Sequence, residues 1–232
     1  HSKDNKLGSG SFGSVYKCSL CSDESKIFAV KVVITEKMED ALNESANLES
    51  IGYHENIVQY IETCIYGGKS CRKYADSITC RIYIVMELLE GPNLQDAVSC
   101  IASIKPYSEA DAKPIALQLC RAVNHLHQRK PPFVHRDIKP ENSMVSTDGR
   151  VIKLIDFGIT KRLKSGAAMT MGAGTPVYRA PEVSASDSYN TPADCYSLGG
   201  TIYFMLTGSH PSYIRASLDN LFDGDAPASS PW

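Results

Sequence analysis

The chain has 232 residues, 43% of them hydrophobic and 22% charged, with a formal net charge of −2 at pH 7. That supplies enough apolar material for one large domain or two small lobes sharing a cleft, and it excludes a disordered chain. The near-neutral balance excludes a general affinity for nucleic acid or anionic membranes, and no apolar run approaches the ~20 residues of a membrane span. The sequence opens at His1 without a signal-like apolar region, which predicts a fragment of a longer protein. Its 8 cysteines are scattered, as expected for a reducing, intracellular setting, cytoplasmic or nuclear. Cys120 and Cys195 read as small core residues. Cys18 and Cys21 have a zinc-like C-x-x-C spacing that two of Cys64, Cys71 and Cys80 would have to complete. Free thiols are the favoured reading, because that spacing alone is not specific.

In chain order, the first feature is Leu7-Gly8-Ser9-Gly10-Ser11-Phe12-Gly13-Ser14-Val15, a glycine loop between two short strands. Glycines let a backbone close over phosphates, with free N–H groups facing the oxygens. A dinucleotide fold would follow the loop with a helix and an acidic residue about 20 positions on. Here a strand pattern at 14–18 and a second at 27–33 follow instead, and the second carries Lys31. By itself Lys31 would read as a solvent-facing strand lysine. The spacing of Ala41, Leu42, Ser45, Leu48 and Ile51 predicts a helix over 36–50, stopped near Gly52. Strands are predicted at 57–65 and 81–87, separated by a polar, glycine-containing insert at 66–80 that serves either as a passive surface loop or as a partner-binding one.

Glu87-Leu88-Leu89-Glu90-Gly91 ends that strand, and a short helix is expected at 93–98. Ser108 and Asp111 form an N-terminal cap for a helix running to about His127, with Pro114 placed to kink its second turn. His125 and His127 read as surface or capping residues. The next stretch is Val-His-Arg-Asp-Ile-Lys-Pro-Glu-Asn at 134–142, followed by Asp156-Phe157-Gly158. Asp137 can accept a hydroxyl proton, and Asn142 and Asp156 offer the oxygen ligands that Mg²⁺ requires. What then remains is positioning and charge neutralisation, the larger part of phosphoryl transfer. Beyond these lie Gly174-Thr175-Pro176, Ala180-Pro181-Glu182, and a helix opening near Asp194 and ending at Gly208.

The series of glycine loop, Lys31, Glu44, Asp137 with Asn142, Asp156 and Ala180-Pro181-Glu182 resembles the protein kinase family, and Lys139 points to its serine/threonine branch. The resemblance covers about 7–221, and a full domain would continue further. It implies an α+β, bilobal fold with a small antiparallel-sheet lobe at 1–87, a hinge at 88–91 and a partial, mostly helical lobe at 92–232. It implies transfer of the ATP γ-phosphate to a protein Ser or Thr hydroxyl, with Mg²⁺ or Mn²⁺. By position, Asp137, Lys139, Lys31 and Glu44 would be catalytic, with Glu44 pairing Lys31 when its helix is docked. ATP would lie against Leu7, Gly8, Gly10, Gly13, Val15, Ala29, Lys31, Met86, Glu87, Leu89 and Met144. Asn142 and Asp156 would hold the metal. His135 would pack rather than act as the base. Asp194 would fix the backbone of the His-Arg-Asp loop, with an N-cap as its other reading. Arg136 would receive a phosphate at Thr170, placed by an upstream kinase or by autophosphorylation, with Ser165 and Thr175 as further candidates. Ser143 stands where the family usually has an apolar residue. A kinase-fold scaffold without turnover is the alternative reading; a small-molecule phosphotransferase fits less well.

Overall fold

The computed structural model describes residues 5–10, 13–35, 38–66, 80–99, 106–163, 174–185 and 190–211. Thr170, Ser165, Cys71 and most of the 66–80 insert lie outside these residues. Five strands, β1 (Lys6–Gly10), β2 (Gly13–Leu20), β3 (Asp23–Thr35), β4 (Tyr60–Tyr66) and β5 (Cys80–Glu87), form an antiparallel sheet of order β1-β2-β3-β5-β4. Side chains on a strand alternate between faces. Ala29 and Lys31 of β3, with Ile82, Ile84 and Met86 of β5, therefore fall on the buried face. Helix α1 (Met38–Ile51) lies along that face and buries Glu44, Ser45, Leu48 and Ile51. Ile57 belongs to no strand; it forms an isolated bridge to Leu154, so β4 begins three residues later than the apolar pattern suggests.

The larger lobe is mostly helical. It comprises α2 (Leu94–Ser99), α3 (Glu109–His127), α4 (Pro181–Ala185) and α5 (Thr191–Thr207), with the short strands β6 (Phe133–Val134), β7 (Ser143–Val145), β8 (Ile152–Leu154) and β9 (Lys161–Arg162). β7 and β8 form a hairpin, and β6 pairs with β9. Ser108 caps α3 as its sequence requires: its hydroxyl accepts the Asp111 N–H at 3.2 Å and donates to the Asp111 carboxylate at 2.6 Å. α3 continues through Pro114. α5 ends at Gly208, whose φ of +68° is the left-handed conformation that glycine adopts at a helix end.

Among the described residues, a small apolar cluster around Val134, Ala180 and Ala193 and two large ones hold this arrangement together. One joins Leu48, Ile51, Ile82, Ile84 and Met86 of the small lobe to Ala122, Leu126, Phe133, Leu154 and Phe157 of the large one. The other packs α2, α3 and α5 around Leu119, Ile152 and Phe204. Each such fully buried side chain contributes about 1.5–3 kcal/mol. Three expectations require correction. Cys120 and Cys195 are exposed rather than in the core. The buried stripe of α3 runs through Ile115, Leu119, Ala122, Val123 and Leu126, and one step from Leu119 turns Cys120 about 100° away from it. α5 begins at Thr191, so Asp194 lies within its first turn and Asn190 is the N-cap. Being buried, Asp194 turns its neighbour Cys195 outward. His125 and His127 are half-buried and make interior polar contacts.

Candidate active site

The two lobes enclose a cleft of about 420 Å³. Its roof is Leu7, Gly8, Ser9, Gly13 and Val15, its back Ala29, Lys31 and Met86, its rim Glu87, Leu88 and Leu89, and its floor Met144. The proposed nucleotide contacts Leu7, Gly8, Gly13, Val15, Ala29, Lys31, Met86, Glu87, Leu89 and Met144 line it. The sequence did not single out Leu48, Val58, Asn93, Glu141 and Ile155, which also line it, because cavity lining by ordinary apolar and polar residues leaves no spacing signal. Glu87 lines the cleft, and its carboxylate accepts Lys153 Nζ at 2.6 Å and the Gln59 N–H at 2.7 Å.

Deep in the cleft, Lys31 Nζ contacts both Glu44 oxygens at 2.7 and 2.8 Å and Asp156 Oδ1 at 2.9 Å. Burial disfavours the Lys31 ammonium, but Glu44 and Asp156 outweigh it and hold its pKa above the ordinary lysine value. Burial likewise opposes the Asp156 carboxylate, and Lys31 prevails, so its pKa lies below the usual range. Glu44 is the most buried of the three, and there burial, reinforced by Asp156, raises its pKa despite Lys31. Asp156 has φ of +60° and Arg136 has φ of +73°, both uncommon for side chains other than glycine.

Asp137 faces this group from the turn before Pro140–Asn142. Its Oδ1 accepts the Thr175 N–H at 3.0 Å and the Thr175 hydroxyl at 2.8 Å. Its Oδ2 accepts Asn142 Nδ2 at 2.9 Å and lies 3.0 Å from Lys139 Nζ. Lys139 Nζ also donates to the Thr175 hydroxyl at 2.7 Å. Because Asn142 Nδ2 is committed to Asp137, its amide oxygen is the atom left for a cation. Together with the Asp156 carboxylate it makes a hard oxygen pair suited to Mg²⁺. Among the described residues no group of three or more His, Cys, Asp or Glu is placed to hold a metal.

The backbone of this loop is held from below. Asp194, fully buried, accepts the His135 N–H at 2.8 Å and the Arg136 N–H at 2.9 Å, and His127 Nε2 lies 3.0 Å from it. The His127 contact leaves no spacing signal, since it joins residues far apart in the chain. His135 is buried, donates from Nε2 to the Ile155 carbonyl at 3.2 Å and accepts the Asp137 N–H on Nδ1 at 3.3 Å. The turn Pro176–Tyr178 is tied to α5, where the Ser197 hydroxyl donates to the Tyr178 carbonyl at 2.7 Å. Ser143, fully buried, donates to the Lys139 carbonyl at 3.2 Å.

Burial holds the pKa of His135 below 6.5, and burial followed by the nearby His125 does the same for His54. Unfolding therefore takes up protons once the pH falls below the unfolded value of 6.5. Stability is expected to be flat well above the unfolded value of 6.5 and to fall as the pH drops below it toward the depressed folded-state values. Melting temperatures across that range check this, and His135→Asn is expected to flatten most of the slope.

A protein kinase domain model matches residues 1–223. The chain is 33% identical over 220 residues to CDPK-related kinase 8 of Arabidopsis thaliana, covering 90% of this chain and 34% of that protein. It is 31% identical to the serine/threonine-protein kinase nekl-2 of Caenorhabditis elegans, covering 94% of this chain and 58% of that protein. It is 33% identical to the calcium/calmodulin-dependent protein kinase type 1 of Macrobrachium nipponense, covering 89% and 56%. The chain thus spans between 34% and 58% of the length of these relatives. With the bilobal α+β architecture already described, these matches mean that the chain belongs to the eukaryotic protein kinase family, in its serine/threonine branch.

Proposed function

We propose that the chain transfers the γ-phosphate of ATP to a Ser or Thr hydroxyl of a protein substrate, using Mg²⁺, with Mn²⁺ as a substitute. The observation that carries this reading is the pair Asp137 and Lys139 gripping a hydroxyl, that of Thr175, from its two sides. A substrate hydroxyl in the same grip would donate its proton toward Asp137 while Lys139 neutralises charge beside the incoming phosphate. Lys31, fixed by Glu44, orients the α- and β-phosphates, and the glycine loop covers them with backbone N–H groups. Asn142 and Asp156 hold the metal, which when bound screens the charge of the phosphates. Met86 closes the back of the adenine pocket, and Leu89 and Met144 cover its faces. Phosphorylation at Thr170, by another kinase or by the chain itself, would add a regulatory charge for Arg136 to read. In this step the substrate oxygen would bond to the γ-phosphorus as the bond to the β,γ-bridging oxygen breaks, with ADP as the leaving group and the hydroxyl proton passing toward Asp137.

The test is incubation with γ-labelled ATP, Mg²⁺ and a mixture of Ser-, Thr- and Tyr-containing peptides. Label is expected on Ser and Thr and not on Tyr, with incorporation lost in Asp156→Ala. Label on Tyr, or equal label with and without Asp156, would overturn the reading. Nucleotide binding without transfer would favour the scaffold alternative.

A further inference from the structure

α1 carries Glu44, yet the Lys31 pair is not all that fixes its position. One turn further along, Asn47 Nδ2 donates to the Thr160 carbonyl at 2.8 Å. Thr160 is buried and lies just beyond Asp156-Phe157-Gly158. Its N–H is closed onto the Phe157 carbonyl at 3.1 Å, and its hydroxyl reaches the His135 carbonyl at 3.5 Å. A single path of polar contacts therefore runs from α1 through Thr160 to the residue two places before Asp137. At the end of the helix, Arg129 donates to the Ile51 carbonyl and to His125 Nε2. The same nitrogen of His125 cannot donate to Ile51 while accepting from Arg129, so Arg129 is the donor to the helix end.

We propose that Asn47 is a positioning residue for phosphoryl transfer: it latches α1 to the segment after Asp156 and so keeps Glu44 on Lys31. The proposal rests on the function given above. The half-buried Asn47 meets a backbone carbonyl, so the latch reads the path of the Thr160 segment and not the identity of a side chain there. If that segment shifts, the donor loses its acceptor and α1 loses a point of attachment to the larger lobe. Glu44 and Asn47 lie on adjacent turns of one helix, so movement of one carries the other.

The experiment compares wild type, Asn47→Leu, Asn47→Asp, Glu44→Gln and the double variant Asn47→Leu/Glu44→Gln. Leu and Asp are close to Asn in size, and neither can donate. Each is expected to lower kcat for peptide phosphorylation about 10-fold with peptide KM unchanged, and to raise deuterium uptake across Met38–Ile51. In the Glu44→Gln background the same replacement is expected to change kcat less than about 2-fold, because the two residues act through one contact. Equal losses in both backgrounds, or unchanged deuterium uptake in α1, would overturn the proposal. Absence of phosphate transfer by the wild type would instead overturn the assigned function, and the exchange measurement would then decide the latch by itself.

Discussion

Asp137→Asn is expected to lower kcat by about 10³-fold, within the usual range for removing a positioned general base. Asn keeps the size but only one oxygen, so just one of Thr175 and Lys139 keeps its acceptor, and the amide cannot take a proton. Its amide group would also turn a donor toward either the Thr175 N–H or the Asn142 amide, both of which already donate to Asp137. The KM for ATP should stay within a few-fold, because the proposed nucleotide contacts, Lys31 and the glycine loop, line the cleft and Asp137 is not among its lining residues. Steady-state kinetics on a Ser peptide measure both quantities. A loss of less than about 10-fold would mean that Asp137 orients the hydroxyl without accepting its proton.

Asp194→Ala is expected to destabilise the fold by about 3–5 kcal/mol, the range for removing one partner from a buried, hydrogen-bonded charge. The carboxylate is fully buried and satisfies the N–H groups of His135 and Arg136 together with His127. Without it, two buried donors lose their acceptor, each at about 1–3 kcal/mol. Arg136 would also lose the contact that holds its positive φ. Activity should fall alongside stability, because Asp137 follows directly on that strained residue. Urea denaturation gives the stability change, and kcat at temperatures well below the melting point separates the two effects.

Much of this was legible in the sequence. Alternating residues in 27–33 and 81–87 marked strands that pack on one face, and the cap at Ser108 fixed where α3 begins. Asp137, Lys139, Asn142 and Asp156 stood out in the sequence as close-spaced polar side chains, and the fold brings them within hydrogen-bond reach of one another or of Thr175 and Lys31. The misreadings share a physical cause. An apolar residue beside a helical stripe looks much like one within it, as Cys120 shows, and a helix whose first turn is held by a buried acid does not announce its start. Asn47 and His127 carried no signal because each matters only through a partner far along the chain, Thr160 and Asp194 respectively.

The carboxylate of Glu87 has a consequence for the choice of nucleotide. With Lys153 and Gln59 engaging it, the Glu87 carboxylate is occupied and would not meet a purine bound in the cleft. Recognition of a purine edge along Glu87–Leu89 would then fall to main-chain groups, which every residue supplies. Altering Glu87 should therefore loosen the fit between the lobes without exchanging one purine for another. A change of base preference would have to come from the width of the slot at Met86.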